Sequence, residues 1–316
     1  MGPYLLQRFL LLLATLAFAS IVVFAVLEIL PGNAAQVMLG ASATPETVAA
    51  LAHKLGLDQG MATRYLAWIG GALHGDFGLS YAYNSPIAPL IAERLAVSAP
   101  LALLAMLITT IVALSAGVFA AQRRGRGGDV AVMAASQVGL AVPNFWFAIL
   151  LVLLFAVHWR IAPSGGFPGW SAGLGRALGA LILPAIALGL VQAAVLTRVT
   201  RSALLDVLNE DFVRTARAKG LSRSATLWRH ALPNALTPIL TIMGLQFANL
   251  IAGAIVVEYV FTLPGLGRLV FQSIANRDLL VVEDCVMLLV AVVIVVNFLV
   301  DIACAAIDPR LRRPRA

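Results

Sequence analysis

The sequence predicts an all-α integral membrane protein with six transmembrane helices and both termini in the cytoplasm. Three observations carry that expectation. Of the 316 residues, 61% are hydrophobic and 12% charged, and the mean hydropathy is +0.94; soluble domains hold about 45–50% apolar and about 25% charged residues. The apolar residues gather into six runs of about the 20 residues that a bilayer requires. The basic residues divide unevenly between the segments that join those runs, with 15 of the 22 on one alternating set.

The runs are Phe9 to Leu27, Leu95 to Ala121, Val130 to Val157, Ala177 to Thr197, Ala231 to Val257 and Cys285 to Ile307. Only the last contains a charge, Asp301. Those longer than 25 residues predict tilt or protruding ends. The richer basic set is Arg8; Arg123, Arg124 and Arg126; the cations from Arg198 to Arg229; and Arg310, Arg312, Arg313 and Arg315. The positive-inside rule puts this set in the cytoplasm. The poorer set is Lys54, Arg64, Arg94, Arg160, Arg176, Arg268 and Arg277. The first run, at 19 residues, exceeds the roughly 7–15 residue core of a signal peptide.

This composition excludes a soluble enzyme. The net charge of +7 sits in clusters at span ends, so it reads as topology and not as a nucleic-acid surface. Cys285 and Cys304 would be about 28 Å apart on one straight helix, too far for a disulfide.

The expected organisation is a first transmembrane helix over 1–30, an extracytoplasmic helical loop over 31–94, a core of five transmembrane helices over 95–307 and a cytoplasmic tail over 308–316. In the first loop, Thr44 is a candidate N-cap and Pro45 fits the first helical position. A second helix is expected from about Met61 to Leu73. Residues 75–80, Gly-Asp-Phe-Gly-Leu-Ser, read as a turn, and Ser85-Pro86-Ile87 starts the approach to the second span. The loop reads as a small helical cap.

Residues 198–233 carry the most information. Leu204, Leu208, Phe212 and Ala216 recur at i+4, one face of a helix. Glu210 and Arg214 are spaced for an i,i+4 pair. Gly220 then breaks the pattern and suits the left-handed end of a helix. Ser222 can cap a new short helix, and Pro233 is expected to close it where the fifth span begins. The expected product is a helix, a glycine turn and a short helix that exposes Leu221, Leu227 and Trp228. Apolar side chains on a charged projection suggest a protein docking surface.

No Gly-Lys pair occurs, so no Walker phosphate loop is present, and ATP binding of that kind is excluded for this chain alone. H-E-x-x-H, C-x-x-C and G-x-S-x-G are also absent from the sequence. His53, His74, His158 and His230 stand in separate segments and suggest no metal site. Embedded polar groups are the better functional candidates. Gln246 and Asn249, three apart on the fifth span, share a face. Asn144 follows Pro143 in the third span, Gln192 lies in the fourth, and Glu258 stands at the outer end of the fifth. In lipid such groups face protein or a water-filled path. Asp301 reads equally as a structural partner or a proton relay.

The stretch R-T-A-x-x-x-G-x9-H-x-L-P, from Arg214 to Pro233, resembles the cytoplasmic "EAA" loop of ABC-importer permeases. Ala216, Gly220, Leu232 and Pro233 fall where that pattern wants them. Arg214 and Thr215 replace its Glu and first Ala, a departure similar to the dipeptide/oligopeptide/nickel permease branch. Leu30-Pro31-Gly32, Gly75 to Ser80, Val257-Glu258 through Pro264-Gly265-Leu266-Gly267, and Asp308-Pro309-Arg310 agree with that branch.

The resemblance implies a type I ABC-importer permease fold in a bacterial inner membrane. It implies a second, similar permease subunit, two cytoplasmic ATPase subunits that hold ATP and Mg, and an extracytoplasmic solute-binding protein. The segment around Leu221 to Arg229 would be the coupling helix, with Arg214, Thr215, Ala216, Gly220, Leu227, Trp228 and Pro233 as ATPase-coupling residues. Asn144, Gln192, Gln246, Asn249 and Glu258 would serve the translocation path. Di- or oligopeptides are the implied substrates; nickel chelates, glutathione and oligosaccharides also fit the branch. The competing class is an ion-coupled secondary transporter, which should carry more embedded charge or repeated broken helices.

Overall fold

The computed structural model of the chain describes residues 2–29, 35, 39, 43–54 and 56–308. The Pro31-Gly32 and Pro309-Arg310 stretches, and the tail from 309 onward, lie outside the described residues. Among those described, the chain is helical apart from turns, loops and one isolated bridge between Leu79 and Pro86.

Among the described residues, five helices are long and apolar enough to cross a bilayer. They are α1 (Gly2–Ile29), α4 (Ile87–Gln122), α7 (Leu174–Leu208), the continuous helix Arg223–Val260 and α12 (Leu279–Ile307). The third expected span is not one helix. It is a pair, α5 (Gly127–Ala141) and α6 (Asn144–Leu151), the latter continuing as a π-helix over Val152–His158, bent by 102°. Pro143 explains the break: it lacks an N–H and forces its predecessor out of the helical region. Val142 is accordingly extended, at φ −90° and ψ 120°.

Two compact units are present. One comprises Met1–Leu10, Ala99–Leu263 and Val295–Ala316. Its centre is α7, which packs against α5, α6 and α10 (Leu232–Val260). Small residues permit the close crossing of α4 and α7. A Cβ at Gly117 would stand 2.6 Å from the Cβ of Thr200, and one at Gly189 would stand 2.8 Å from the carbonyl oxygen of Ala105. Thr109 Oγ1 donates to the Gly189 carbonyl at 3.0 Å across the same crossing. Asp301 has a structural partner here: Arg8 lies 2.8 Å from its carboxylate.

The other unit comprises Leu11–Ser98 and Pro264–Ile294. It holds α2 (Pro45–Lys54), α3 (Met61–Leu73) and α11 (Leu266–Ala275). Thr44 caps α2, its Oγ1 accepting from Thr47 N at 3.4 Å. The sequence reading did not anticipate α11, an amphipathic helix announced by Pro264-Gly265. Its apolar face, Leu266, Leu269 and Val270, forms a core with Ile87, Ile91, Val281 and Cys285. Ser98 Oγ accepts from the Leu266 N–H at 2.8 Å, satisfying one donor at the start of that helix.

The last span also differs from expectation. Its helix starts at Leu279 and not at Cys285, so Glu283 and Asp284 lie within its opening turns. Both are buried. Trp68 Nε1 donates to Asp284 Oδ1 at 2.8 Å, which offsets part of the cost of burying that carboxylate.

Candidate functional site

The segment after the fourth span departs from a single projecting helix. α7 runs on as far as Leu208, and a new helix, α8 (Asp211–Ala218), begins after Asn209 and Glu210. The i+4 series is therefore cut in two. Leu204 and Ala216 are buried, but Phe212 is 43% exposed and Val213 takes the inward position. The expected Glu210–Arg214 pair is replaced by an exposed one, Arg214 Nη1 to Asp211 Oδ1 at 3.3 Å. Restarting the helix at Asp211 turns Glu210 into its extended N-cap residue.

Gly220 ends α8 as the sequence requires. Leu221 N donates to the Ala216 carbonyl and Gly220 N to the Arg217 carbonyl, the paired bonds of a Schellman cap. Gly220 sits at φ +92°, where a side chain would be strained even though the space around it is open. Ser222 Oγ then accepts from Ala225 N at 3.2 Å and starts α9 (Arg223–Thr226).

Pro233 does not close this short helix. The helix continues through a π-helical stretch, Leu227–Ala231, directly into α10, with Pro233 in its first turn. The widened turn makes a place for a proline ring that would otherwise strike the preceding carbonyls. The short helix and the fifth span are thus one continuous rod, Arg223–Val260.

Leu227 is a further correction. It is only 3% exposed, in a core with Leu196, Leu204, Ala231, Ala235 and Ile239, so it anchors the short helix inward. Trp228 is 57% exposed and Leu221 half-buried. Arg214, Thr215, Arg217, Lys219, Arg223 and Arg229 are exposed around them. Residues 211–231 expose two aromatic rings, Trp228 and Phe212, among these cations.

A strut above this surface was missed from sequence. Arg201 on α7 donates from Nε to Asp129 Oδ1 at 2.5 Å and from Nη2 to Oδ2 at 2.7 Å. Gly125 N also donates to Asp129 Oδ2, at 2.9 Å. Asp129 is 4% exposed. An acidic residue immediately before an apolar run, on the same membrane side as a cluster of arginines, was the signal available. Arg198 donates more weakly to Gln137, at 3.3 Å.

The polar residues expected along the spans fall into three groups. Gln192, Gln246 and Asn249 form one chain: Asn249 Nδ2 donates to Gln246 Oε1 at 3.1 Å, and Gln246 Nε2 donates to the Gln192 carbonyl at 3.2 Å. Gln192 and Gln246 are buried within the chain, while Asn249 is exposed. Asn144 is half-buried beside Gly253, where a Cβ would stand 2.7 Å from its Nδ2. Glu258 is buried near the end of α10. Gln246 thus has its amide engaged inside the protein, and Asn249 and Asn144 keep accessible surface.

Comparisons with known proteins agree along the whole chain. Residues 113–313 match the family described as the binding-protein-dependent transport system inner membrane component, and residues 1–102 match its N-terminal companion. A probable peptide ABC transporter permease protein of Sinorhizobium fredii is 38% identical over 99% of this chain and 100% of its own. A putative peptide transport system permease protein of Brucella abortus is 42% identical over 99% of each. The dipeptide transport system permease protein DppB of Escherichia coli is 35% identical over 100% of each. Among solved structures, the inward-facing MetNI methionine ABC transporter matches with TM-score 0.58 and 18% identity, over 69% of this chain and 96% of that one. At that identity the likeness concerns the fold.

Proposed function

The chain belongs to the family of binding-protein-dependent transport system inner membrane components, and from that premise we propose that it carries short peptides inward, with residues 211–231 as the element driven by ATPase subunits. It is a multi-pass inner-membrane transport subunit, and ATP hydrolysis belongs to separate subunits. Peptides are the solutes named for relatives that match this chain over their whole length, dipeptides among them.

The observation that carries the coupling role is the continuity of the rod Arg223–Val260. A push on an element that ended in a flexible loop would be absorbed there. A push on Trp228 moves a helix that continues through the membrane, and the buried side chain of Leu227 resists its rotation. Gly220 sets the angle at which α8 meets that rod. Arg214, Thr215 and Ala216 lie on α8, with Arg214 and Thr215 available to a partner and Ala216 packed inward.

In this reading two ATPase subunits holding ATP and Mg seat the exposed face, a second similar permease completes the path, and a solute-binding protein delivers the peptide. Asn249 and Asn144 are the residues of this chain placed to meet the solute. Their amides offer hydrogen bonds without the strong attraction of a fixed charge, which suits a conduit that must release what it carries. Gln192, Gln246 and Glu258 hold that wall in place. The test is to purify the assembled complex with its solute-binding protein and identify what that protein retains. Short peptides support the reading; a nickel chelate, glutathione or an oligosaccharide would replace the substrate and leave the coupling role untouched.

A further inference from the structure

Between α5 and α7, in the unit that includes residues 99–263, lies a cavity of about 610 Å³. Met133 and Leu140 on α5 and Val195 and Val199 on α7 give it apolar walls. Arg198, Arg201 and Ser202 supply its polar side. Its walls include no residue of α10, so it does not share the face of Gln246 and Asn249.

The charged residues that line this cavity are both arginines. Asp129 holds Arg201 through both carboxylate oxygens and offsets its charge. Arg198 is exposed, and its partner is a neutral amide oxygen, Gln137 Oε1, at 3.3 Å. No carboxylate among the described residues forms an ion pair with Arg198. The next acid along α7 is Asp206, about 12 Å further on at 1.5 Å per residue. Arg123, Arg124 and Arg126 precede α5 on the same side of the membrane. The cavity therefore keeps an accessible, uncompensated cation.

Depth decides which anion fits. Arg198 is the first charged residue after an uncharged run that ends at Thr197, on the side that the basic residues assign to the cytoplasm. Its guanidinium stands at the level of the lipid head groups, and Val195 and Leu140 stand deeper, at the level of the acyl chains. A small soluble anion gains nothing from such walls, whereas a phosphodiester with acyl chains meets both the cation and the walls. Basic pockets between spans on this side suit phospholipid heads, and the guanidinium fork matches phosphate oxygens.

We propose that this cavity binds one anionic phospholipid of the inner leaflet, its phosphate on Arg198 and Ser202 and the upper part of an acyl chain along the apolar walls. The inference does not depend on which solute is transported.

The full-length chain in detergent is titrated with dioctanoyl phosphatidylglycerol, and the one-to-one complex is followed by native mass spectrometry. Dioctanoyl phosphatidylcholine has the same tails without net charge, and glycerol 3-phosphate has the phosphate without tails. Phosphatidylglycerol should be retained at a concentration about fivefold lower than phosphatidylcholine, and glycerol 3-phosphate should not displace it. Arg198→Gln should weaken retention about fivefold, as the loss of one cation at head-group level requires. Val199→Phe fills the cavity without altering a charge and should weaken retention as much. Arg217→Gln removes an exposed charge from α8 on the same side and should change nothing. Thermal unfolding reports whether each variant is folded, and if one is not, the other decides. The complex assembled with the second permease should keep the lipid. Loss of the lipid there would give the cavity to the second permease, and displacement by glycerol 3-phosphate would give it to a soluble phosphate. Either result overturns the proposal, as do equal retention of the two lipids, an equal loss in Arg217→Gln, or unaltered retention by the folded variants.

Discussion

Arg201 grips Asp129 through both carboxylate oxygens, 72 residues away in the chain. The pair ties the opening turn of α5 to the stretch of α7 that leads into α8. Removing one member of a buried pair leaves the other charge uncompensated. Because the Arg201 side chain is 25% exposed, water recovers part of that loss, and about 2 kcal/mol is expected for Asp129→Asn. Its thermal unfolding should shift down, and uptake should fall further than ATPase activity. Arg201→Lys keeps the charge without the two-pronged geometry and should fall between. A variant as stable and active as the parent would show that the strut is idle.

Gly220 stands at a positive φ with open space around it. A side chain there costs about 1–2 kcal/mol in backbone strain alone, and relief would come by rotating the rod relative to α8. Gly220→Val should therefore insert normally but transport poorly while ATPase activity persists. Parallel uptake and ATPase assays check this. Unaltered values in both would remove the junction from the coupling route.

Leu227 and Trp228 are neighbours with opposite fates. Leu227→Ala opens a hole in a closed core and should cost about 2–4 kcal/mol, visible in thermal unfolding. Trp228→Ala should leave stability within about 0.5 kcal/mol, yet weaken retention of the ATPase subunits on purification. The reverse pattern would mean that the faces have been assigned the wrong way round.

Asn249 and Gln246 are bonded to each other but differ in exposure. In a background without Cys285 and Cys304, Asn249→Cys should react with a membrane-impermeant thiol reagent, faster or slower on adding ATP and binding protein. Gln246→Cys should react at least tenfold more slowly. Equal rates at both positions would dismiss the idea that only Asn249 meets the path.

Much of this was legible in the sequence because lipid imposes a simple rule. Four of the five uncharged runs became single helices and the third a broken pair, since a helix satisfies its own backbone hydrogen bonds in lipid. Local cues also read well: Thr44, Gly220 and Ser222 act through neighbours a few residues away. What could not be read were the long-range partners. Periodicity allowed one helix through Leu204 and Ala216, and the restart at Asp211 follows from Val213 finding a place in the core. Leu227 looked exposed because its burial depends on Leu204 and Ile239. Pro143 was visible, but whether it kinks or folds a span depends on what α7 offers the two halves. Asp129 and Glu283 flank apolar runs, and only their surroundings distinguish them from ordinary span ends.

The central claim is tested most directly by reconstituting the chain with its second permease, the ATPase subunits and the solute-binding protein, and following labelled dipeptide into sealed vesicles. Accumulation should require ATP on the ATPase side and binding protein on the other, and should persist when ion gradients are collapsed. Accumulation driven by an ion gradient without the ATPase subunits would contradict the account and make the chain a secondary transporter.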